Sequence, residues 1–293
     1  MKKKISIVSS AYNEEGNVRD LYEQVKAQMA PLADKYEYEQ IVLDNASTDG
    51  TLSVLRDIAA QDKRFKVIAN ARNFGHIRSP YYGILQASGD AVVYLASDLQ
   101  DPPALIAQFI TAWENGYKVV LAQKQTSKES GLFFAVRKIY YWLLNLLNDS
   151  GAKLEPNCTG FGLYDKCVVD ELRKLGDPYP YLRGLVCELG YAHKLIPFEQ
   201  PLRKRGFTKN NFYTLYDNAM IGFTNHSKVP LRLAALGGFA LGIISLLLAL
   251  VYLVLKLLYW ERFPMGTAPL LLAVLFFSSV QLFFIGIIGE YIG

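Results

Sequence analysis

The sequence predicts an α/β fold, a mostly parallel β-sheet with helices on both faces, followed by two long apolar helices. Three observations carry this reading. Over residues 1–125 short β-rich runs alternate with helical patterns, the alternation that covered parallel sheets produce. Acid-rich stretches follow three of the strand-like runs directly. Two charge-free runs stand near the C-terminus, 22 positions from Ala234 to Leu255 and 25 from Met265 to Gly289.

The strand-like runs are Ile5–Ser10, Gln40–Leu43, Lys66–Ala69, Ala91–Leu95 and Val119–Ala122. Helical patterns lie between them at Asn17–Lys35, Thr51–Gln61, Pro80–Ala87 and Pro103–Asn115. Proline suits a first helical turn, so Ser79-Pro80 and Asp101-Pro102-Pro103 read as helix starts. Farther on, a helix is expected over Leu132–Leu147 and a strand around Thr159–Tyr164. Within Phe207–Phe223, Phe212, Leu215, Tyr216, Ala219, Met220 and Phe223 follow the i, i+3, i+4, i+7 pattern. Beside basic residues this fits an amphipathic helix in the membrane interface, with core packing as the alternative.

About 20 apolar residues cross a bilayer core of roughly 30 Å, so each charge-free run predicts a transmembrane helix, at about 234–258 and 265–291. Neither run is a signal peptide, since both lie far from Met1. Arg203, Lys204, Arg205, Lys209, Lys228 and Arg232 precede the first run. This basic bias predicts a multi-pass cell-membrane protein with its N-terminal domain in the cytoplasm. The expected division is a globular domain over 1–202, a basic juxtamembrane segment over 203–232 and the two spans over 233–293. The net charge of +4 is modest and suggests no nucleic-acid partner. Cys158, Cys167 and Cys187 lack metal-ligand spacing and read as free thiols.

Ligands of open α/β sheets gather beyond the carboxyl ends of the strands. Tyr12 to Glu15 follow the first strand, Asp44 to Asp49 the second and Asp98 to Asp101 the fourth. Neither a Gly-x-Gly-x-x-Gly fingerprint nor a phosphate loop ending in Gly-Lys-Ser/Thr is present, which argues against dinucleotide oxidoreductases and nucleotide hydrolases of those types. Tyr12 can stack on a base, and Glu14 can accept from base or ribose donors. Asp44 and Asp49 are equally well placed, with turn and capping chemistry as their alternative. In "YLASDLQDPP" an apolar run breaks into Asp98 and Asp101, which either cap the next helix or hold a cation against a phosphate.

Together, "AYNEEGN", "LDNASTDGT", "RNFGH" and "SDLQDPP", then "RGLVCELGY" and "RKRGFTKNNF", resemble family 2 glycosyltransferases of the GT-A fold. With the two apolar runs the layout resembles the polyisoprenyl-phosphate glycosyltransferases, relatives of dolichyl-phosphate mannose synthase. The nearest subgroup is the bacterial enzymes that load glucose onto undecaprenyl phosphate. The likeness covers essentially the whole chain and implies a GT-A Rossmann-like domain.

Carried over by that resemblance, Tyr12, Glu14, Asp44 and Asp49 bind the donor nucleotide, with Asn73 beside them. His76 faces the donor or serves a structural role. Asp98 matches the second acid of an Asp-x-Asp element and binds Mg²⁺ or Mn²⁺, with Gln100 orienting metal and diphosphate. Asp101 joins this catalytic set or caps the helix. Arg203, Arg205, Thr208 and Lys209 lie over the donor diphosphate or acceptor phosphate, which guanidinium groups grip through paired hydrogen bonds, or they meet anionic headgroups. Arg183 is a further acceptor-phosphate candidate. The implied reaction is inverting transfer of glucose from UDP-glucose to the lipid phosphate, GDP-mannose being the alternative donor, by a homo-oligomer such as a homotetramer.

Two departures from the pattern stand out. The first acid of Asp-x-Asp falls on Ala96, so metal binding rests on Asp98 and the diphosphate. The acid before Phe-Arg-Leu falls on Gly160 and the arginine on Gly162. A phosphate monoester, with a second pKa of about 6, is largely ionised at neutral pH and needs little help from a base. A non-catalytic membrane subunit is the reading these departures favour instead.

Overall fold

The computed structural model describes residues 2–125, 155, 157–178, 180–201, 229–259 and 267–292. The helices expected over Leu132–Leu147 and Phe207–Phe223, together with Arg203, Arg205, Thr208 and Lys209, lie outside the described residues. The chain divides into two compact units, Met1–Trp142 with Ala152–Leu215, and Leu143–Gly151 with Tyr216–Gly293.

Among the described residues the first unit is built on a sheet of seven strands: β1 Lys3–Ala11, β2 Tyr36–Asp44, β3 Phe65–Ala69, β4 Ala91–Tyr94, β5 Val119–Lys124, β6 Cys158–Asp165 and β7 His193–Phe198. Their order is β3-β2-β1-β4-β6-β5-β7. The first four are mutually parallel, β6 runs antiparallel between β4 and β5, and β7 is parallel to β5. The connecting helices are α1 Glu15–Met29, α2 Thr51–Gln61, α3 Gly75–Gln86, α4 Ile106–Glu114, α5 Lys166–Leu175 and α6 Leu182–Glu188.

Central strands covered on both faces bury residues without the usual alternation. Ile5, Ile7 and Val8 are all fully buried. Ile5 and Ile7 face a cluster with Leu21, Phe109 and Phe161, while Val8 faces Leu43, Ile84 and Tyr164. Phe109 and Phe161 meet edge to face with centroids 5.0 Å apart.

Helix α3 corrects one expectation. It begins at Gly75, and Pro80 stands inside it. The reason lies in the preceding loop. Asn45 Oδ1 accepts the Phe74 N–H at 2.9 Å, and Asn73 Oδ1 accepts the Gly75 N–H at 2.8 Å. Those side chains satisfy donors at the helix start, so the first turn forms ahead of the proline. The second proline signal agrees with the structure: a 3₁₀ turn, Pro103–Leu105, leads into α4.

The second unit contains two long helices, α7 Val229–Leu258 and α8 Thr267–Ile292. Many large apolar side chains on them are exposed, among them Phe239, Ile243 and Leu247 on α7 and Phe276, Leu282 and Phe283 on α8. Apolar surface of this extent marks a contact face. Among the described residues, however, no helix is long and apolar enough to cross a membrane. This corrects the expectation of two transmembrane helices, and with it that of a multi-pass protein oriented by its basic flanks. The charge-free runs include positions whose side chains lie outside the described residues, and the described part falls short of a span.

Candidate donor and metal site

Two loops meet at the carboxyl ends of β1 and β2, where Ala11 pairs with Asp44. Asn13 and Ala46 both adopt left-handed backbone, at φ 56 and φ 59, a conformation that asparagine tolerates better than most residues. The loops are interlocked. The Asn13 N–H donates to Ser47 Oγ at 2.9 Å, and the Thr48 N–H donates to Asn13 Oδ1 at 2.8 Å. Glu14 is buried, and its Oε2 accepts from Asn17 Nδ2 at 2.6 Å. Asp44 is buried and accepts the Ser47 N–H at 3.3 Å. Tyr12 is half-buried beside them.

Asp49 stands just before α2. Its Oδ1 accepts the Thr51 N–H at 3.0 Å, and its Oδ2 accepts the Glu15 N–H at 3.4 Å. Burial alone would raise its pKa, but the Thr51 hydroxyl, which also donates to Oδ1, and these backbone hydrogen bonds win and hold the carboxyl below its usual range. Asn73 is tied into a network: Asn45 Nδ2 donates to Asn73 Oδ1 at 2.8 Å, and Asn70 Nδ2 donates to Asn45 Oδ1 at 3.1 Å. His76 is exposed on the first turn of α3. Asn45, the hub of this network, was not singled out by sequence. Its place directly after a strand-end acid was the available signal.

The third loop follows β4. The Leu95 N–H donates to the Val8 carbonyl at 3.1 Å, and Ser97 Oγ donates to the Ser10 carbonyl at 2.8 Å, anchoring the loop on β1. Asp98 is partly exposed, and its Oδ1 accepts the Gln100 N–H at 3.1 Å. Leu99 is left-handed at φ 61 with its side chain buried. Asp101 is only 5% exposed, and its Oδ2 accepts the Ala96 N–H at 2.9 Å. Burial pushes the Asp101 carboxyl up to about 7 against that hydrogen bond; the Asp98 charge adds to the rise and Lys124 opposes it.

Tyr94, at the end of β4, links these acids to α6. Burial raises its phenol, the charges of Asp101 and Asp98 raise it further, and Arg183 and a hydrogen bond with Ser10 oppose the rise. Arg183 thus comes within electrostatic reach of the same phenol as the two acids. Tyr94 and Lys124 were both missed by sequence reasoning, because nothing in their local pattern marks them.

Among the described residues no three or more His, Cys, Asp or Glu side chains form a metal cluster. Asp98 and Asp101 do share one short loop. Mg²⁺ needs only one or two carboxylates when waters and substrate phosphates complete its shell, so the donor set fits an ion that arrives with a diphosphate. The three cysteines are free thiols.

The glycine departures have a structural side. A Cβ on Gly162 would stand 2.1 Å from the Val120 carbonyl oxygen, so β5 and β6 approach too closely for an arginine there. Gly160 adopts φ +89, and its carbonyl accepts the Tyr164 hydroxyl at 2.6 Å.

Acidic loops at the carboxyl ends of parallel strands, in a sheet with one antiparallel member among the described strands, make this an α/β domain with its candidate site at one sheet edge. The chain belongs to glycosyl transferase family 2, whose profile matches residues 6–172. It is 33% identical over 290 residues to an uncharacterized glycosyltransferase of Synechocystis sp., covering 99% of this chain and 90% of that one. It is 31% identical over 293 residues to a bactoprenol glucosyl transferase of Shigella phage SfV, covering 99% and 93%. A solved mannosyltransferase, PcManGT from Pyrobaculum calidifontis in complex with GDP-Man and Mn²⁺, is 17% identical with a TM-score of 0.47, covering 77% of this chain and 62% of that one. That last likeness is too distant to assign any residue a role.

Proposed function

We propose that the chain transfers glucose from UDP-glucose to a polyprenyl phosphate, undecaprenyl phosphate being the favoured acceptor, with inversion at the anomeric carbon. The observation that carries this reading is the convergence of three loops, bearing Glu14, Asp44 and Asp98, at one edge of a family 2 domain. The acceptor and the sugar come from the full-length likeness to the phage bactoprenol enzyme.

In this reading Tyr12, Glu14 and Asp44 hold the nucleoside, Asp49 and Asn73 keep their loops in shape for it, and His76 borders the donor. Asp98, with Gln100 beside it, holds Mg²⁺ or Mn²⁺. Such an ion neutralises the charge that develops on a departing diphosphate. Arg183 takes the acceptor phosphate, together with the basic segment of Arg203, Arg205, Thr208 and Lys209. The phosphate oxygen is already ionised at neutral pH, so catalysis reduces to positioning and charge neutralisation.

The test is incubation of the purified chain with labelled UDP-glucose, undecaprenyl phosphate and Mg²⁺, followed by extraction of the lipid. Label in the lipid fraction, released by mild acid as glucose, is the expected result. Label from GDP-mannose alone would change the donor. No lipid-linked product from any nucleotide sugar would overturn the reading.

A further inference from the structure

We propose that Asp101 is a positioning residue, closing the loop from Ala96 to Asp101 through the Ala96 amide so that Asp98 is aimed at the donor. This rests on the reading of Asp98 given above. The alternative role, direct metal ligation by Asp101, fits the geometry less well. Asp101 is buried, whereas Asp98 is partly exposed. One carboxylate oxygen of Asp101 is engaged with the Ala96 N–H at 2.9 Å. The loop also needs a tether. Leu99 holds a left-handed backbone, which persists in a non-glycine residue only when its surroundings impose it. Three bonds impose it here: Ser97 Oγ to the Ser10 carbonyl, the Gln100 N–H to Asp98 Oδ1, and the Ala96 N–H to Asp101 Oδ2. Only the last spans the whole loop, and Pro102 and Pro103 restrict the backbone just beyond it.

The experiment compares Asp101→Ala and Asp101→Asn in the full chain. Asparagine keeps an acceptor oxygen for Ala96 but is a poor metal ligand. Two quantities are measured: amide hydrogen exchange over residues 95–101, and affinity for UDP with and without Mn²⁺. Positioning predicts faster exchange and an Mn²⁺-dependent affinity lower by about tenfold or more in the alanine variant, the loss expected for one buried charge-assisted hydrogen bond. The asparagine variant should recover most of both. Equal loss of Mn²⁺-dependent affinity in the two variants, with exchange unchanged, would overturn the proposal. So would no change in either. Should the alanine variant fail to fold, the asparagine variant still decides, since ligation predicts loss there and positioning predicts retention. Absence of Mn²⁺-dependent UDP binding in the unaltered chain would overturn the donor reading as well, which separates the two failures.

Discussion

Glu15 and Asp49 each cap the other's helix. The Glu15 N–H donates to Asp49 Oδ2 at 3.4 Å, and the Gly50 N–H donates to Glu15 Oε2 at 3.1 Å. The N-termini of α1 and α2 are thereby joined, and each supplies an acceptor for a donor that the other helix cannot satisfy internally. Replacing either acid by alanine is expected to lower stability by about 1 kcal/mol. Because the two bonds form one clasp, the double variant should lose less than the sum. Urea denaturation of the three variants measures this, and strict additivity would show two independent caps.

Asp101 makes stability depend on pH in an unusual direction for a carboxylate. Its folded value is about 7, against roughly 3.9 for an unfolded aspartate. The folded state binds the proton more tightly, so this contribution is fully present below about pH 4 and is lost as pH rises through about 7. Asn cannot ionise. Asp101→Asn should therefore melt higher than the unaltered chain at pH 8, with the advantage shrinking steadily towards pH 4. A difference independent of pH between those limits would contradict the burial argument. Asp98 and Lys124 are the charged groups that act on it, and their variants should move the midpoint down and up respectively.

Gly162 tests whether a departure from the family pattern is a structural requirement. A Cβ there meets the Val120 carbonyl oxygen at 2.1 Å and the Leu121 Cα at 3.1 Å, and backbone cannot give way easily. Gly162→Ala is expected to cost about 1–3 kcal/mol, as overpacking does. Gly116→Ala is the control: its φ of +95 strains alanine, but nothing lies within 4 Å of the added carbon. Denaturant midpoints should fall more for Gly162→Ala, and equal shifts would contradict the steric account.

The parts of this molecule that were legible in the sequence share one property: the signal is local. Helix α2 was expected over Thr51–Gln61 and is found there, because its period is clean and Asp49-Gly50 punctuates its start. The acids after β1, β2 and β4 were legible for the same reason. Strand β7 was not, because Pro197 breaks its strand pattern. Among the described residues it pairs only with β5, and an edge strand tolerates proline. Helix α5 carries clear signals, an Asp165 side chain capping the Cys167 N–H and Gly176 at φ +59 after its end, but it begins directly at the end of β6, and no element was expected directly after the strand around Thr159–Tyr164. Asn45, Tyr94 and Lys124 gain their significance from neighbours far away in the chain, which no local pattern reports. The two apolar runs were read as spans from their length and lack of charge, and the described helices do not sustain that.

The most direct test of the account is the Mn²⁺ dependence of UDP binding, measured by titration calorimetry on the unaltered chain and on Asp98→Ala. The account predicts that Mn²⁺ tightens UDP binding to the unaltered chain and that this gain disappears in the alanine variant, while the weaker metal-free affinity stays the same. An alanine variant that keeps the full Mn²⁺ gain would contradict it, because the loop after β4 would then have no part in holding the ion.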